Sequence, residues 1–344
     1  MSDDLEFYPI DPTAVPAEQA EIRALLGKCG LDYEEGIEVF VVCRAGQHLV
    51  GCAGLEANIV KCVATEPDFR GESLTLKLLS EVIHIAYERG HNHLFLYTKP
   101  ENVPTFRSCG FYPLVSVPEY VTVMENTPIG IKSYCRQLST LRQGGKTIGS
   151  IVMNANPFTL GHQYLVQTAA QACDWLHVFV VLEDASLISY SDRYALVESG
   201  IRGIEKVTLH PGSQYMISRA TFPGYFFKEK GMVGQCCTAV DLLLFREFIA
   251  PALGITHRYV GTEPFCPTTR KYNEDMKHWL QGTESAAPSI TVVEIPRTVR
   301  LGNPISASEV RRLLNAREFE RMEALVPPAT LELMYSKYRT VCFP

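Results

Sequence analysis

The amino-acid sequence predicts an α/β protein of two domains: an N-terminal α+β domain, followed by a Rossmann-like domain with a doubly wound parallel sheet. A chain of 344 residues is long enough for about two domains. Strand-like runs dominate residues 1–126, whereas strands and helices alternate from Ile148 onward, which favours a parallel sheet covered on both faces. Gly144 and Gly145 form a flexible joint between the two patterns. We therefore expect domains at 1–140 and 141–344.

Composition narrows the class of protein. Hydrophobic residues make up 46% of the chain and charged residues 20%, which is ordinary for packed cores, and no uncharged run is long enough to cross a bilayer. A net charge of −6 without a long Lys/Arg cluster argues against nucleic-acid binding. The 11 cysteines and the histidines lack metal-ligand spacing, so we expect free thiols in a reducing compartment and no protein-bound metal. These features predict a cytoplasmic protein with no membrane or nucleic-acid partner.

The hydrophobic periodicity places the elements of both halves. In the N-terminal half it predicts helices at 16–26, about 73–87 and 102–108, and strands at 38–43, 48–55, 58–64, 93–97 and 120–124. In the C-terminal half it predicts strands at 148–153, 175–182, 207–209, 257–260 and 290–295, and helices at 161–173, 191–203 and about 236–249.

The first strand of the C-terminal half leads into a turn with chemistry-bearing residues. Turn formers occupy 154–158, and Thr159, Gly161 and His162 fall at the first turn of the next helix. Free backbone amides and the positive end of the helix dipole favour a phosphate there. Gly161 lets the backbone come close because it has no Cβ. In a doubly wound sheet this strand end is also where ligands bind.

A second helix start with similar chemistry lies near the C-terminus. Ser306 or Ser308 can cap this helix while donating to an oxyanion, and Arg311, one turn further on, can donate two parallel hydrogen bonds. Taken alone, the segment also fits an ordinary Ser-capped amphipathic helix.

Two further segments carry candidate ligand contacts. Residues 261–274 are polar and contain two prolines, which predicts an ordered substrate loop after the strand 257–260. Glu263, Arg270 and Lys271 in this loop are candidates for contacts to a phosphate or carboxylate group of a ligand. Arg193, near the start of the helix 191–203, is a candidate ligand contact or a solvated helix charge.

Both helix starts resemble motifs of the nucleotidylyltransferase superfamily. Its turn has the form G-x-F-x-P-x-(H/T)-x-G-H, which Asn156-Pro157, Thr159, Gly161 and His162 fit, while Met153 and Ala155 depart from it. Residues 305–311 resemble its I-S-x-(S/T)-x-x-R motif. The resemblance implies catalytic roles for Thr159 and His162. It also implies that ATP is bound by Asn154, Asn156, Pro157, Thr159, Gly161, His162, Arg193, Ser306, Ser308 and Arg311.

The N-terminal half resembles the GNAT acyltransferases. Glu66-Pro-Asp-Phe-Arg-Gly before a long helix and Phe106-Arg-Ser-Cys-Gly-Phe carry this resemblance. Arg70 matches the first position of the pyrophosphate loop, but Ser73 and Thr75 stand where glycine and a small residue belong. A Cβ at Ser73 obstructs the approach of a diphosphate to the backbone. The resemblance therefore supports the GNAT fold more strongly than it supports binding of acyl-CoA. A GNAT-shaped module that docks a partner without acyl-CoA chemistry remains open.

Over nearly the whole chain, the domain order and the Phe-Cys-Pro-Thr-Thr-Arg-Lys-Tyr-Asn segment resemble the citrate lyase ligase family. The resemblance implies that ATP, with Mg²⁺, and acetate are used to acetylate a thiol through acetyl-AMP. That thiol belongs to the phosphoribosyl-dephospho-CoA arm of the citrate lyase acyl carrier subunit. Two alternatives stay open: a small-molecule adenylyltransferase of the pantetheine-phosphate or nicotinamide-nucleotide type, and a non-catalytic nucleotide-sensing, carrier-docking protein.

Overall fold

A computed structural model describes residues 5–69, 72–182, 186, 188–217, 222–262, 267–300 and 303–339, with backbone only at 72, 230, 267–269 and 303. The chain divides into two compact units. The first unit comprises Met1–Tyr134 and Phe222–Val240, and the second comprises Cys135–Thr221 and Asp241–Pro344. The domain boundary near residue 140 stays a prediction.

The first unit is built on a seven-stranded sheet. Its strands, in chain order, are β1 (Leu5–Ile10), β2 (Val39–Ala45), β3 (His48–Glu56), β4 (Ile59–Thr65), β5 (Phe95–Thr98), β6 (Tyr112–Val117) and β7 (Val121–Glu125). They pair in the order β1-β2-β3-β4-β5-β7-β6, and all pairs are antiparallel except β4–β5. Sequence periodicity missed β1 and β6. Both contain a proline and both are edge strands, where a missing amide donor is tolerated.

Helices complete the N-terminal half of the chain: α1 (Pro16–Lys28), α2 (Glu72–Glu88), α3 (Val103–Ser108) and α4 (Gly130–Ser139). Helix α2 packs on the sheet through side chains spaced by about one turn, including Leu74, Leu78 and Val82, which are almost wholly buried. Fully burying one such side chain contributes roughly 1.5–3 kcal/mol. The amphipathic spacing that predicted this helix is therefore the spacing that holds it on the sheet.

An aromatic segment from much later in the sequence also belongs to the first unit. Within residues 222–227, the Gly224 amide donates to Glu34 Oε1 at 2.7 Å, and the Tyr225 carbonyl accepts from the Asp32 amide at 2.8 Å. The Phe222 ring meets the Tyr97 ring edge-on at 5.2 Å between centroids. The N-terminal unit is thus completed by residues that lie about 100 positions beyond its last strand.

The second unit contains a five-stranded sheet in which every pair is parallel. Its strands are β8 (Ile148–Met153), β9 (Trp175–Val180), β10 (Val207–His210), β11 (His257–Gly261) and β12 (Thr291–Ile295). They run in the order β10-β9-β8-β11-β12, so the direction of winding reverses between β8 and β11. The predicted doubly wound parallel sheet is confirmed. The point of reversal is the usual ligand-binding position of such sheets.

The described residues of the C-terminal half also form a short two-stranded ribbon and eight α-helices. They are β13 (Val299–Arg300), β14 (Asn303–Pro304), α5 (Leu160–Gln171), α6 (Tyr190–Ile201), α7 (Lys230–Leu244), α8 (Ala250–Leu253), α9 (Pro267–Gln281), α10 (Ala307–Asn315), α11 (Phe319–Glu323) and α12 (Pro328–Ser336). A π-helical stretch, Phe245–Ile249, joins α7 to α8. No helix in the described ranges is both long and apolar enough to cross a membrane.

Helix α9 corrects one prediction. The segment expected to be a substrate loop is helical from Pro267 onward, so Arg270 and Lys271 lie on a helix. Proline at the first helical position is pre-organised for a helix because its fixed φ suits it and its missing amide is not needed there. Two prolines in a polar stretch were interpreted as loop, but Pro267 instead begins the helix.

Candidate active site

A cleft of about 610 Å³ lies in the second unit at the point where the sheet reverses direction. The carboxyl ends of β8, β11 and β12 and the starts of α5 and α10 form its walls. Its lining residues are Val152, Met153, Asn154, Ala155, Asn156, Thr159, Gly161, His162, Tyr164, Leu165, Val260, Gly261, Ile295, Pro296, Arg297, Ile305, Ser306, Ala307, Ser308 and Arg311. The structure therefore brings both predicted helix starts into one cleft.

The turn between β8 and α5 is fixed from behind by packing. Phe158 is wholly buried, and its carbonyl accepts a hydrogen bond from Thr330 Oγ1 at 3.0 Å. A Cβ built on Gly200 of α6 would lie 2.2 Å from the Phe158 ring, so this ring sits directly on the glycine backbone. Ala155 adopts a φ of +51°, and the Asn156–Pro157 peptide is cis. The packing of Phe158 and its hydrogen bond from Thr330 place this turn beside the cleft.

Thr159 and His162 form a capping box at the start of α5. The backbone amide of His162 donates to Thr159 Oγ1 at 3.3 Å, and His162 Nδ1 accepts from the Thr159 amide at 3.1 Å. Because Nδ1 is an acceptor, the neutral ring carries its hydrogen on Nε2, a tautomer we assign from this hydrogen bond. Burial, with a smaller effect of the Arg297 charge, lowers the pKa of His162 to about 4. His162 is therefore an uncharged hydrogen-bond donor at neutral pH.

The start of α10 is also capped by a hydroxyl, and it is tied to the first turn. Ser306 Oγ accepts from the Glu309 amide at 3.1 Å. Arg311 Nη1 donates to the Asn156 carbonyl at 2.6 Å, and its Nη2 donates to Ser308 Oγ at 3.2 Å. Burial lowers the pKa of Arg311 from its usual value. One guanidinium thus connects the two helix starts, whose amides give both ends a positive potential.

Gly161 lies close to the segment that precedes α10. A Cβ built at this position would lie 3.3 Å from the Ile305 carbonyl oxygen and 3.4 Å from Ile305 Cβ. Such contacts are tighter than most side chains tolerate, so the glycine lets α5 lie against the residue that precedes the Ser306 cap. This close approach narrows the cleft between the helix starts.

Arg193 lies behind the turn. Its side chain is wholly buried and is not among the residues that line the cleft. Its Nε donates to the Ile188 carbonyl at 3.1 Å, and Nη1 donates to the Val181 carbonyl at 2.9 Å. Nη1 also donates to the carbonyl and Oδ1 of Asn154, at 2.8 and 2.7 Å. The sequence-based alternatives were a nucleotide contact and a solvated charge; the structure instead shows a buried guanidinium that holds Asn154.

Pro157, Arg270 and Lys271 are not among the residues that line the cleft. Arg270 and Lys271 are exposed on α9, where Lys271 Nζ pairs with Asp275 at 2.8 Å. Pro157 lies within the turn but is not among the lining residues. Glu263 lies outside the described residues.

Comparison with known proteins places the chain in a family. The model of the citrate lyase ligase C-terminal domain matches residues 148–334, and the model of the acetyltransferase (GNAT) family matches residues 5–112. A citrate (pro-3S)-lyase ligase from Klebsiella pneumoniae is 53% identical over 304 residues, 88% of this chain and 89% of the relative. The chain belongs to the citrate lyase ligase family. A ligase of the same name from Escherichia coli K12 is 48% identical over 92% of this chain and 90% of its own.

Among solved structures, an acyl-CoA N-acyltransferase from Pseudomonas aeruginosa is similar to 36% of this chain and 100% of its own. The sequence identity is 14% and the TM-score is 0.32. Membership of the citrate lyase ligase family makes the protein an acid–thiol ligase that uses ATP, and it confirms both the predicted family and the predicted pair of fold types.

For this member of the citrate lyase ligase family, sequence reasoning missed one cleft residue with a full charge. Arg297 follows β12 and lines the cleft. Its Nε donates to the Thr262 carbonyl at 2.7 Å, and its amide donates to Thr262 Oγ1 at 3.3 Å. The available signal was position: Arg297 stands two residues beyond a predicted parallel strand, where ligand contacts concentrate.

Proposed function

We propose that the protein acetylates the thiol of the phosphoribosyl-dephospho-CoA arm on the acyl carrier subunit of citrate lyase, through acetyl-AMP. The observation that carries the proposal is the pair of capped helix starts, α5 and α10, which face one cleft at the reversal point of the sheet. The positive dipole ends of these two helices and the Arg311 guanidinium suit a polyphosphate. Family membership adds the acid–thiol ligase chemistry.

The side chain of Asn156 gives a second reason to expect that the cleft binds ATP. Its side-chain oxygen Oδ1 is buried and has no hydrogen-bond partner among the described residues, yet Asn156 lines the cleft. A buried acceptor without a partner costs about 1–3 kcal/mol, so a donor on a bound ligand would stabilise this site. The hydroxyls and the amino group of a nucleotide are donors of this kind.

In the first step, a carboxylate oxygen of acetate attacks the α-phosphorus of ATP. The bond between that phosphorus and the bridging oxygen breaks, and pyrophosphate leaves with the electron pair. His162 and the positive dipole end of α5 stabilise the negative charge that grows on the α-phosphate oxygens. Ser306, Ser308 and Arg311 hold the leaving pyrophosphate. Thr159 keeps the His162 ring in its donor tautomer through the capping box.

Mg²⁺ enters this proposal as part of the substrate. Within the described ranges, the fold gathers no group of three or more His, Cys, Asp or Glu side chains that could hold a metal. Mg²⁺ commonly binds through phosphate oxygens and keeps several waters, so the protein does not need a carboxylate cage. The ion would arrive on the phosphates of ATP and neutralise part of their charge.

In the second step, the carrier thiolate attacks the carbonyl carbon of acetyl-AMP, and AMP leaves as the thioester forms. For the arm that carries this thiol, we assign a cavity of about 560 Å³ in the first unit. Its lining comprises Cys29, Leu31, Val63, Ala64, Thr65, Thr75, Tyr97, Thr98, Lys99, Glu101, Asn102, Thr105, Phe106, Tyr225 and Phe226. Mixed apolar and polar walls suit an arm of alternating amide and methylene groups.

The experiment that tests the first step is exchange of labelled pyrophosphate into ATP, with and without acetate and without carrier. We expect exchange that depends on acetate, because acetyl-AMP formation is reversible. Pyrophosphate release that needs a phosphate or nucleotide acceptor instead of acetate would favour the small-molecule adenylyltransferase. Binding of ATP with no turnover, even with the thiol form of the carrier present, would favour the sensor.

The assignment of the arm has its own test, which is to fill the cavity. We expect Thr105→Trp, a change at a half-buried position of α3, to lower carrier acetylation at least about tenfold while leaving acetate-dependent exchange within about twofold. Thr105→Ser is the matched control and should acetylate carrier at the parent rate. Equal losses in both assays, or none in acetylation, would contradict the assignment. Deleting 1–140 is a poorer test because it would leave residues 222–240 without their unit.

A further inference from the structure

Lys99 is a half-buried cation that lines the cavity of the first unit, directly after β5. Within the part of the chain that the structure describes, its ammonium group forms no hydrogen bond and no ion pair. A charge taken partly out of water loses hydration, and an opposite charge ordinarily offsets that loss. Lys99 is therefore available to an anion that enters the cavity.

The other charged residue of the lining does not neutralise Lys99. Glu101 stands two residues further on, is exposed, and forms no ion pair with Lys99 in the described structure. The field of an exposed charge is screened by salt, whereas a partly buried charge is screened much less. Among the described lining residues, no other side chain is acidic or basic. The cavity therefore keeps a positive potential near the end of β5.

Two buried threonine hydroxyls belong to the same cavity. Thr75 on α2 and Thr98 at the end of β5 are 7% and 5% exposed, and both line the cavity. Neither hydroxyl has a hydrogen-bond partner among the described residues. Because a buried hydroxyl without a partner is destabilising, a ligand with oxygen atoms at these positions would stabilise the site. Phosphate oxygens and amide carbonyls are acceptors of this kind.

The carrier arm contains both kinds of acceptor. Its pantetheine part has two amides, and a diphosphate joins that part to the adenosine. An ammonium group at the end of a flexible stem suits a phosphate, which it binds as a point charge from any direction. The walls near Lys99 also include Val63 and Phe106, which suit the methylene groups of the arm.

On the basis of the proposed function, we propose that Lys99 binds the diphosphate of the carrier arm and so holds the arm in the cavity. The Thr75 and Thr98 hydroxyls donate to other oxygens of the same arm. No bond forms or breaks here, so Lys99 is a positioning residue for the second step and has no part in making acetyl-AMP. This contact is made by a side chain; the backbone loop of the GNAT acyltransferases, by contrast, has Ser73 at its glycine position.

The first test measures binding of 4′-phosphopantetheine and of pantetheine, which lacks the phosphate, by calorimetry on the full-length protein. A non-hydrolysable ATP analogue fills the cleft of the second unit, so that only the cavity is titrated. We expect Lys99→Met to weaken 4′-phosphopantetheine binding by about 10- to 100-fold, the range for a hydrogen bond to a charged group. Pantetheine binding should stay within about twofold.

Two control variants accompany Lys99→Met. Lys99→Arg keeps the positive charge and should bind 4′-phosphopantetheine within about threefold of the parent. Lys132→Met removes an exposed lysine of α4 that belongs to the same unit, and it should match the parent for both probes. Added salt should weaken 4′-phosphopantetheine binding to the parent more than to Lys99→Met, because screening acts on the charge contact.

The second test separates the carrier arm from a free phosphorylated thiol. With ATP and acetate saturating, we expect Lys99→Met to raise the KM for carrier by about 10- to 100-fold. Acetate-dependent exchange without carrier should stay within about twofold, because Lys99 does not act in the first step. A weaker 4′-phosphopantetheine contact with an unchanged KM for carrier would assign the cavity to a free thiol and overturn the inference.

Other outcomes would also overturn it. Equal losses for both probes would make Lys99 a structural support of the cavity, and unchanged 4′-phosphopantetheine binding would remove it from the site. If Lys99→Met does not fold, salt-independent binding of 4′-phosphopantetheine to the parent would contradict a charge contact. If the parent shows no acetate-dependent exchange, the proposed function fails. The calorimetric comparison still decides the role of Lys99 in that case, because it needs no turnover.

Discussion

Replacing His162 with alanine is expected to lower kcat for acetate-dependent exchange by about 10²–10³-fold, or roughly 3–4 kcal/mol of activation free energy. The physical reason is the loss of a fixed Nε2–H donor, which the capping box holds in one tautomer. The measurement is steady-state exchange with saturating ATP and acetate. The variant should still fold, because losing one capping interaction costs only about 1 kcal/mol.

His162→Gln separates the catalytic role from the structural one. Glutamine at the third position of a helix keeps the capping-box acceptor for the Thr159 amide, so this variant should unfold at nearly the denaturant concentration of the parent. Its kcat should remain low because the imidazole is gone. Because the folded-state pKa of His162 is about 4, below the usual 6.5, its neutral form is favoured, and it should add no ionisation to the rate profile between pH 6 and 8. A folded glutamine variant with parental kcat would exclude a catalytic role.

Arg193→Met should have the largest effect on stability. We expect the free energy of unfolding to fall by about 3–5 kcal/mol, because the substitution removes a buried guanidinium and leaves the carbonyls of Asn154, Val181 and Ile188 without their donor. Exchange activity should also fall, since Asn154 is held in the cleft by the same side chain. Urea unfolding followed by circular dichroism gives the free energy.

The matched control for Arg193→Met is Arg202→Met, at the exposed end of the same helix, α6. It removes the same side chain from solvent-facing surroundings and should change stability by less than about 0.5 kcal/mol. Arg193→Lys keeps the charge but loses the planar set of donors, so it should lie between methionine and the parent. Equal stability of Arg193→Met and Arg202→Met would show that the buried hydrogen bonds of Arg193 have no net effect.

The sequence was informative where local pattern decides the structure. The buried run of β8, the serines at the start of α10, and the alternation of strands and helices are local features that predicted the elements now observed, although the choice between Ser306 and Ser308 as the cap was left open. Where an outcome depends on contacts between distant residues, prediction failed. Arg193 sits near a helix start like many solvated arginines, and only the fold brings the Asn154 carbonyl to it.

Proline was the other source of error, because the secondary structure that a proline permits depends on its position within the element. Pro113 lies in an edge strand that periodicity missed, whereas Pro267 begins a helix that was interpreted as a loop. Arg297 was overlooked for a different reason: no motif surrounds it, and its relevance comes from the end of β12 reaching the same cleft as α5 and α10. The order of strands in the sheet brings these elements to one cleft, and no short stretch of sequence shows that order.

The two-segment make-up of the first unit has a consequence for synthesis on the ribosome. Residues 1–134 leave the exit tunnel well before Phe222–Val240, so the nascent N-terminal sheet exists for a time without Gly224, Tyr225 and Phe222, which contact Glu34, Asp32 and Tyr97. At about 5–20 residues per second, this interval lasts roughly 5–20 seconds. During translation the N-terminal sheet therefore lacks the contacts made by the later aromatic segment. The first unit can be completed only after most of the chain has been made.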